Sequence, residues 1–318
     1  MFNLILVPLD GSPLAECVLP HVIAMGQVFE SKITLLQVLE KNLPDASTQF
    51  VDLLNWQINK TKAILYLKRI DDQLQSMALQ TKINVMEGLA AESIIEFTRS
   101  QQMELVILSS YGQSGLGKWG ISSTTHKIVF SAPTSVLIIH AAEPKGQSYR
   151  RILVPLDGSW RAENVLPIVT LLARFHKSQI QIVHVVQAPE MPRHLPPMQE
   201  DIDLSDRIVK RNQEEARLYL EQVQSHLSLA GIDVKTHLVV SDDVAHALHE
   251  WVDREQIDMV VLSAHGYSGH SQWPYGSMVD NFILYGKAPL LIVQDLPVKP
   301  VPEEISQAGI RVREHIQY

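Results

Sequence analysis

The sequence predicts a doubly wound parallel α/β sheet, built twice in one chain. The first observation is a repeat. Leu4-Ile5-Leu6-Val7-Pro8-Leu9-Asp10-Gly11-Ser12 returns as Arg151-Ile152-Leu153-Val154-Pro155-Leu156-Asp157-Gly158-Ser159, offset by 147 residues (Asp10 to Asp157). The same offset carries Val18-Leu19-Pro20 onto Val165-Leu166-Pro167 and Val38 onto Val185, so the match is a duplication rather than chance. The second observation is that β-branched runs alternate with helical stretches, which implies right-handed crossovers and a sheet covered on both sides. The third is that runs such as Leu105-Val106-Ile107-Leu108 lack polar alternation, as strands buried on both faces do.

In the first copy, strands are expected near 3–8, 32–39, 82–87, 104–109 and 134–139, and helices over 14–29, 51–80, 90–101 and 121–131. Further along, Leu105–Ser109 matches Met259–Ser263, Gly112 matches Gly266 and Trp119 matches Trp273, now at an offset of 154. Ala132-Pro133 and Ala288-Pro289 are related by 156, which implies two residues gained or lost in between. Glu143-Pro144-Lys145-Gly146 marks a linker, 141–149, between a first domain over 1–140 and a second over 150–296. The prolines at 189, 192, 196 and 197 favour an irregular lid or partner-contact loop over 187–200. The tail, 297–318, opens with Pro297, Pro300 and Pro302 and reads as an extended strap. Both fifth strands, near Thr134–Ile139 and Leu290–Gln294, are apolar and would be exposed edges if unpaired. The two domains are therefore expected to pack face to face as a pseudo-dimer.

Composition removes several classes of function. With 46% hydrophobic and 19% charged residues the chain has material for packed cores, and global disorder is excluded. A formal net charge of −8 provides no basic field for nucleic acid. The one cysteine, Cys17, excludes an intramolecular disulfide and reads as a buried, inert thiol. Met1 leads directly into a strand-like run, and no apolar stretch reaches about 18 residues, so a cytoplasmic protein without signal peptide or membrane span is expected.

In parallel sheets of this kind ligands bind beyond the carboxyl ends of the strands, where the strand order reverses. Both Asp-Gly-Ser turns and both glycine loops fall at that end. The second copy reads Ser263-Ala264-His265-Gly266 and continues to Gly276-Ser277, where a helix begins. Glycine lets the backbone turn tightly, and a helix start adds unpaired N–H donors and the positive end of a dipole. Ser277 would cap that helix or bond a phosphate oxygen. An ordinary glycine-rich turn is the plainer reading of either loop, and Asp10 and Asp157 at least organise their turns.

Val-Pro-Leu-Asp-Gly-Ser after the first strand and Ser-Ala-His-Gly…Gly-Ser after the fourth resemble the universal stress protein family, over about 3–140 and 151–295. The resemblance implies Rossmann-like domains of adenine nucleotide alpha hydrolase-like type, a stress-response or signalling role, and fifth strands that pair about an approximate twofold axis. It also implies a Gly-x2-Gly-x9-Gly-Ser/Thr loop whose amides hold the phosphates of ATP or AMP, with or without Mg²⁺. In the second domain that carries over to Ser263, Gly266, Gly276 and Ser277, with His265 inside the loop and Pro155, Asp157 and Val185 at the base and sugar. Serine stands where the family has its first glycine, a strained position if φ must be positive there.

The first domain offers a weaker site of Pro8, Asp10, Val38, Ser109, Gly112 and Gly120. If Pro133 matches Pro289, only seven residues separate Gly112 from Gly120. A second alignment keeps nine residues and puts Ser122 at the glycine position. The second domain is accordingly expected to be the better nucleotide site. A homodimer of such chains and a protein partner are left open. Other signals carry less. Gly112–Trp119 approaches a P-loop but has Trp119 where Mg²⁺ needs a hydroxyl. Gly112-x-Ser114 and Gly266-x-Ser268 lack the second glycine of a nucleophile elbow. His246 and His249 read as surface histidines of a helix rather than metal ligands. A slow ATPase and a nucleotide-independent scaffold are the rival readings.

Overall fold

The computed structural model describes residues 1–40, 49–111, 121–140, 148–189, 199–266 and 275–295. The apolar run that opens each repeat becomes a central strand, β1 (Leu4–Pro8) and β6 (Arg151–Pro155). In the first half α1 (Leu19–Phe29), β2 (Lys32–Leu39), α2 (Gln49–Gln75), β3 (Gln80–Glu87) and α3 (Ala90–Ser100) follow. That half ends with β4 (Leu105–Ser109), α4 (Ser123–Ser131) and β5 (Ser135–Ile139). The second half repeats the pattern with α5 (Trp160–Glu163), α6 (Leu166–His176), β7 (Gln179–Val186), α7 (Gln199–Leu229) and β8 (Asp233–Val240). It closes with α8 (Val244–Arg254), β9 (Met259–Ser263), α9 (Ser277–Tyr285) and β10 (Leu290–Val293).

The helix expected over 14–29 is divided into a 3-10 turn, Ala15–Val18, and α1. Pro20 lies in the first turn of α1 and Pro167 in the first turn of α6, where a missing N–H costs no hydrogen bond. The end expected at 80 for the second helix falls instead at Gln75, and Ala78 turns left-handed (φ 62) to start β3.

All ten strands form one sheet, in the order β3-β2-β1-β4-β5-β10-β9-β6-β7-β8. Neighbours run parallel except β5 and β10, which pair antiparallel with Leu290 opposite Ile138 and Ile292 opposite Val136. The halves thus join edge to edge, not face to face. The physical reason is that each fifth strand presents an apolar edge with unpaired backbone groups, and the other supplies its partner.

One core lies on each face of the sheet and both run through the two halves. The first packs Ile5, Val7, Ile152 and Val154 under α1, α2, α6 and α7. The second packs Leu6, Val106, Leu153 and Val260 under α3, α4, α8 and α9. Three side chains pin the junction. Tyr149 Oη and His21 Nδ1 share a buried hydrogen bond of 2.7 Å. Tyr275 Oη donates to the Val129 carbonyl at 2.7 Å, and its ring meets Phe130 edge-on at 5.5 Å.

Backbone bonds also correct the expected insertion. Ser110 N donates to Ile139 O and Ala264 N donates to Val293 O, each at 2.8 Å, so the offset of 154 runs unbroken through the fifth strands. Ala132-Pro133 and Ala288-Pro289 are two residues out of structural register. The glycine loop around Gly112, Trp119 and Gly120, the prolines over 190–198, and the tail lie outside the described residues, as do Trp273 and most of the linker. Among the described residues no helix is long and apolar enough to cross a membrane.

Candidate functional site

Each Asp-Gly-Ser turn is encoded by its three residues. Asp10 Oδ1 accepts from Ser12 N at 2.9 Å, Gly11 supplies φ 86, and Ser12 Oγ accepts from Ala15 N at 3.1 Å. In the second half Asp157 Oδ1 accepts from Ser159 N at 2.9 Å, Gly158 has φ 82, and Ser159 Oγ accepts from Ala162 N at 3.2 Å. Only glycine adopts such φ without strain. The turns hold both carboxylates at the point where the strand order reverses, between β1 and β4 and between β6 and β9.

The loop after the fourth strand meets that turn. A Cβ on Gly266 would stand 2.3 Å from Asp157 Oδ2, so glycine leaves the carboxylate its room there and is not needed for φ. Ser109 and Ser263 close β4 and β9, and neither is among the positive-φ residues, so serine costs no backbone strain. Ser109 Oγ accepts from Cys17 Sγ at 3.4 Å and from Tyr111 N at 3.3 Å. Cys17 is half-buried, and burial raises its thiol pKa, which keeps it unreactive. Ser263 Oγ is buried without a hydrogen-bond partner among the described residues.

The helix starts decide between the two alignments. Gly276 N donates to Ala264 O at 2.9 Å and Ser122 N donates to Ser110 O at 2.7 Å, so Ser122 is the counterpart of Gly276 and Ser123 that of Ser277. The nine-residue alignment fits this register, whereas Gly112 and Gly120 themselves are not described. Ser277 is the first residue of α9 rather than its cap, which corrects that expectation. The cap is Gly276, which has no side chain to bond the helix start. In the first half Ser122 Oγ takes the Thr125 N–H at 3.1 Å.

Of the two readings of His265, a ligand contact or a residue that holds the loop, its ring fits the second. Its side chain has 0% exposure, and Nδ1 lies 2.7 Å from Asp295 Oδ1, itself 3.8 Å from the Arg161 guanidinium at Oδ2. A ring with no surface has none to offer a ligand. His246 stands 3.4 Å from Glu250 on the surface, and His249 bonds Asn281 at 2.8 Å. Among the described residues no group of ligands could hold a metal ion.

In the first half these elements enclose a crevice of about 820 Å³. Pro8, Asp10, Val38 and Ser109 all line it, with Ser122 and Ser123 from the start of α4. Sequence reasoning missed its outer wall, where Gln37 of β2 stands beside Trp56, Lys62 and Tyr66 of α2. Burial, then the charges of Glu16 and Asp10, push the Tyr66 phenol above its ordinary pKa. In the second half Pro155 ends β6 and Val185 lies half-buried on β7. Burial, with Glu163 and Asp157, raises the Tyr219 phenol in the same way. Burial lowers His184, an effect partly offset by the Leu156 backbone and Asp157. A signal for this wall was present, since Glu16 and Glu163 recur at the offset of 147 and Tyr66 and Tyr219 at 153.

Known proteins resemble this chain in sequence and in fold. The profile of the universal stress protein family matches twice, over residues 1–140 and 148–294. Universal stress protein MJ0531 of Methanocaldococcus jannaschii is 20% identical over 144 residues, 44% of this chain and 82% of that protein. YxiE of Bacillus subtilis is 22% identical over 148 residues, 44% of this chain and 99% of that protein. A universal stress protein structure from Archaeoglobus fulgidus superposes with a TM-score of 0.65 at 16% identity, covering 92% of this chain and 99% of that one. A putative universal stress protein from Pseudomonas aeruginosa gives 0.62 at 16% identity, covering 92% and 93%. Each curated relative spans about one half of this chain, whereas these two structures span nearly all of it. Two copies of the domain, joined through their fifth strands, make this chain a tandem member of the universal stress protein family.

Proposed function

We propose that the chain binds adenine nucleotide, ATP or AMP, at the carboxyl ends of its strands and acts as a nucleotide-responsive stress or signalling protein. The observation that carries this reading is the first-half crevice, in which Asp10, Val38 and the start of α4 converge from separate elements. Asp10 and Asp157 would accept from ribose hydroxyls. Val38 and Val185 would contact the base, and the helix starts would face the phosphates, where N–H donors and the dipole favour an anion. Mg²⁺, where present, would arrive with the phosphates.

The second half is proposed as the tighter site. Its cap residue is Gly276, which offers no side-chain acceptor for the N–H that Ser122 takes from Thr125 in α4, and a phosphate would take that place in α9. Hydrolysis is not part of the proposal; the imidazole of His265 pairs with Asp295. Nucleotide would act on the rest of the molecule only through unequal affinity for two conformations.

Isothermal titration of the full chain with ATP and AMP tests the reading. Asp157→Ala is expected to weaken the tighter site at least tenfold, and Asp10→Ala the other. Unchanged binding in both variants would overturn the site assignment. Protein that neither retains nor binds nucleotide would point to a scaffold.

A further inference from the structure

The helix starts assigned to phosphate, those of α4 and α9, belong to different crevices, and one side chain joins the two helices. Tyr275 directly precedes Gly276, the cap of α9, and is buried. From there it reaches out of its own half. Its hydroxyl donates to the Val129 carbonyl at 2.7 Å, and its ring meets Phe130 edge-on with centroids 5.5 Å apart. Val129 and Phe130 both belong to α4, the helix whose first residues, Ser123, Thr124 and Thr125, line the first crevice.

Local structure calls for this bond. Val129 lies in the last turn of α4, where helix carbonyls lose their intrahelical donors. Ala132 is extended (φ −74, ψ 129), as a residue before proline is, and Pro133 has no N–H to offer. Tyr275 supplies a donor from across the junction. Burial, and then the charge of Asp280, hold its phenol above the ordinary pKa, so the hydroxyl keeps its proton. A second contact crosses at the same place. His126 of α4 stacks on Phe130 at 4.4 Å, and its charge reaches Asp280 in the first turn of α9. The arrangement is one-sided, because at the offset of 154 the first half has Ile121 in place of Tyr275, buried and with no hydroxyl to return the bond.

The parts on this route are stiff. Gly276 N is bonded to Ala264 O at 2.9 Å, so the end of β9 and the start of α9 move together. Helix α4 has nine residues, a rod of about 14 Å, and a shift at its last turn is passed to its first. Close-packed interiors transmit such displacements rather than absorb them.

From the Tyr275–Val129 bond and the place of each residue on its helix, we infer that the two crevices are energetically coupled through Tyr275. An anion drawn to the start of α9 displaces the hydroxyl that holds α4, and filling one crevice thereby changes the affinity of the other. Linkage makes the effect reciprocal. The inference rests on the nucleotide reading and adds to it the regulation of one site by its counterpart.

The test is a calorimetric titration of the full chain with ATP. Asp157→Ala and Asp10→Ala give the first and second sites singly, and the parent chain gives both together. The parent curve is expected to depart from the sum of the two single-site curves, with the later site shifted at least fivefold in affinity. Tyr275→Phe, which removes only the hydroxyl, should bring the curve back to that sum while each single-site affinity stays within about twofold. His21→Gln breaks the other buried bond of the junction and serves as the control: it should lower stability and keep the coupling. Urea denaturation checks that every variant is folded. Two independent sites in the parent chain would overturn the inference and leave the nucleotide reading standing. Coupling that survives Tyr275→Phe, or that His21→Gln abolishes equally, would overturn the assignment to Tyr275. Binding at one site alone leaves nothing to couple and overturns the inference, and binding at neither removes the nucleotide reading with it.

Discussion

Single atoms decide how the two loops of the second half meet. A methyl group on Gly266 would fall 2.3 Å from Asp157 Oδ2, closer than non-bonded atoms approach, so the Asp157 carboxylate must turn aside. Gly266→Ala is expected to cost about 1–3 kcal/mol of stability, as overpacking does, and to weaken nucleotide binding in the second half. Urea denaturation and titration read the two effects. The Asp-Gly-Ser turn was legible in the sequence because its residues satisfy one another locally, acceptor, positive φ and helix cap within a few positions. The burial of His265 was not legible. Its partner Asp295 is 30 positions away and meets it only when β9 and β10 lie side by side.

Helices α4 and α9 begin at equivalent places with different caps, and this sets a reciprocal experiment. Serine and glycine differ as caps by only a few tenths of a kcal/mol, so exchanging them is expected to leave the fold intact. Gly276 has room for the change, its nearest neighbour lying 3.8 Å from a built Cβ. Gly276→Ser should raise the unfolding midpoint slightly and weaken nucleotide binding, and Ser122→Gly should do the reverse. Opposite signs in stability and affinity are the expected outcome, with parallel changes counting against anion binding at the helix start. Strands and helices were largely readable from hydrophobic period, as in β4 with its unbroken apolar run. The α2 wall was hidden for a physical reason. Trp56 and Tyr66 are spaced like ordinary core residues of a helix, and only the packing of α2 beside β2 and β3 turns them toward the crevice.

Across the whole molecule the halves behave as one body, because both cores and the sheet continue through the junction. His21 lies at that junction against Tyr149, and burial lowers its pKa from 6.5 to about 4. A depressed histidine pKa means that the unfolded chain takes up the proton first. Its stabilising contribution is whole above pH 6.5 and is lost progressively as the pH falls to about 4, on the order of 3 kcal/mol in all. His140, likewise brought to about 4 by burial, adds a second increment over the same window. His21→Gln should therefore unfold with a shallower dependence on pH below 6.5 than the parent chain, as followed by urea midpoints.

Covalent duplication has a further effect. In a symmetric homodimer every substitution appears in both crevices, and the pair comes apart on dilution. Here β5 meets β10 within a single polypeptide, so the partnership survives at any concentration and each member is free to change alone. Gln37 opposite His184 and Ser122 opposite Gly276 are changes of that kind, so the two halves of one molecule carry unlike residues at matching places in fixed stoichiometry.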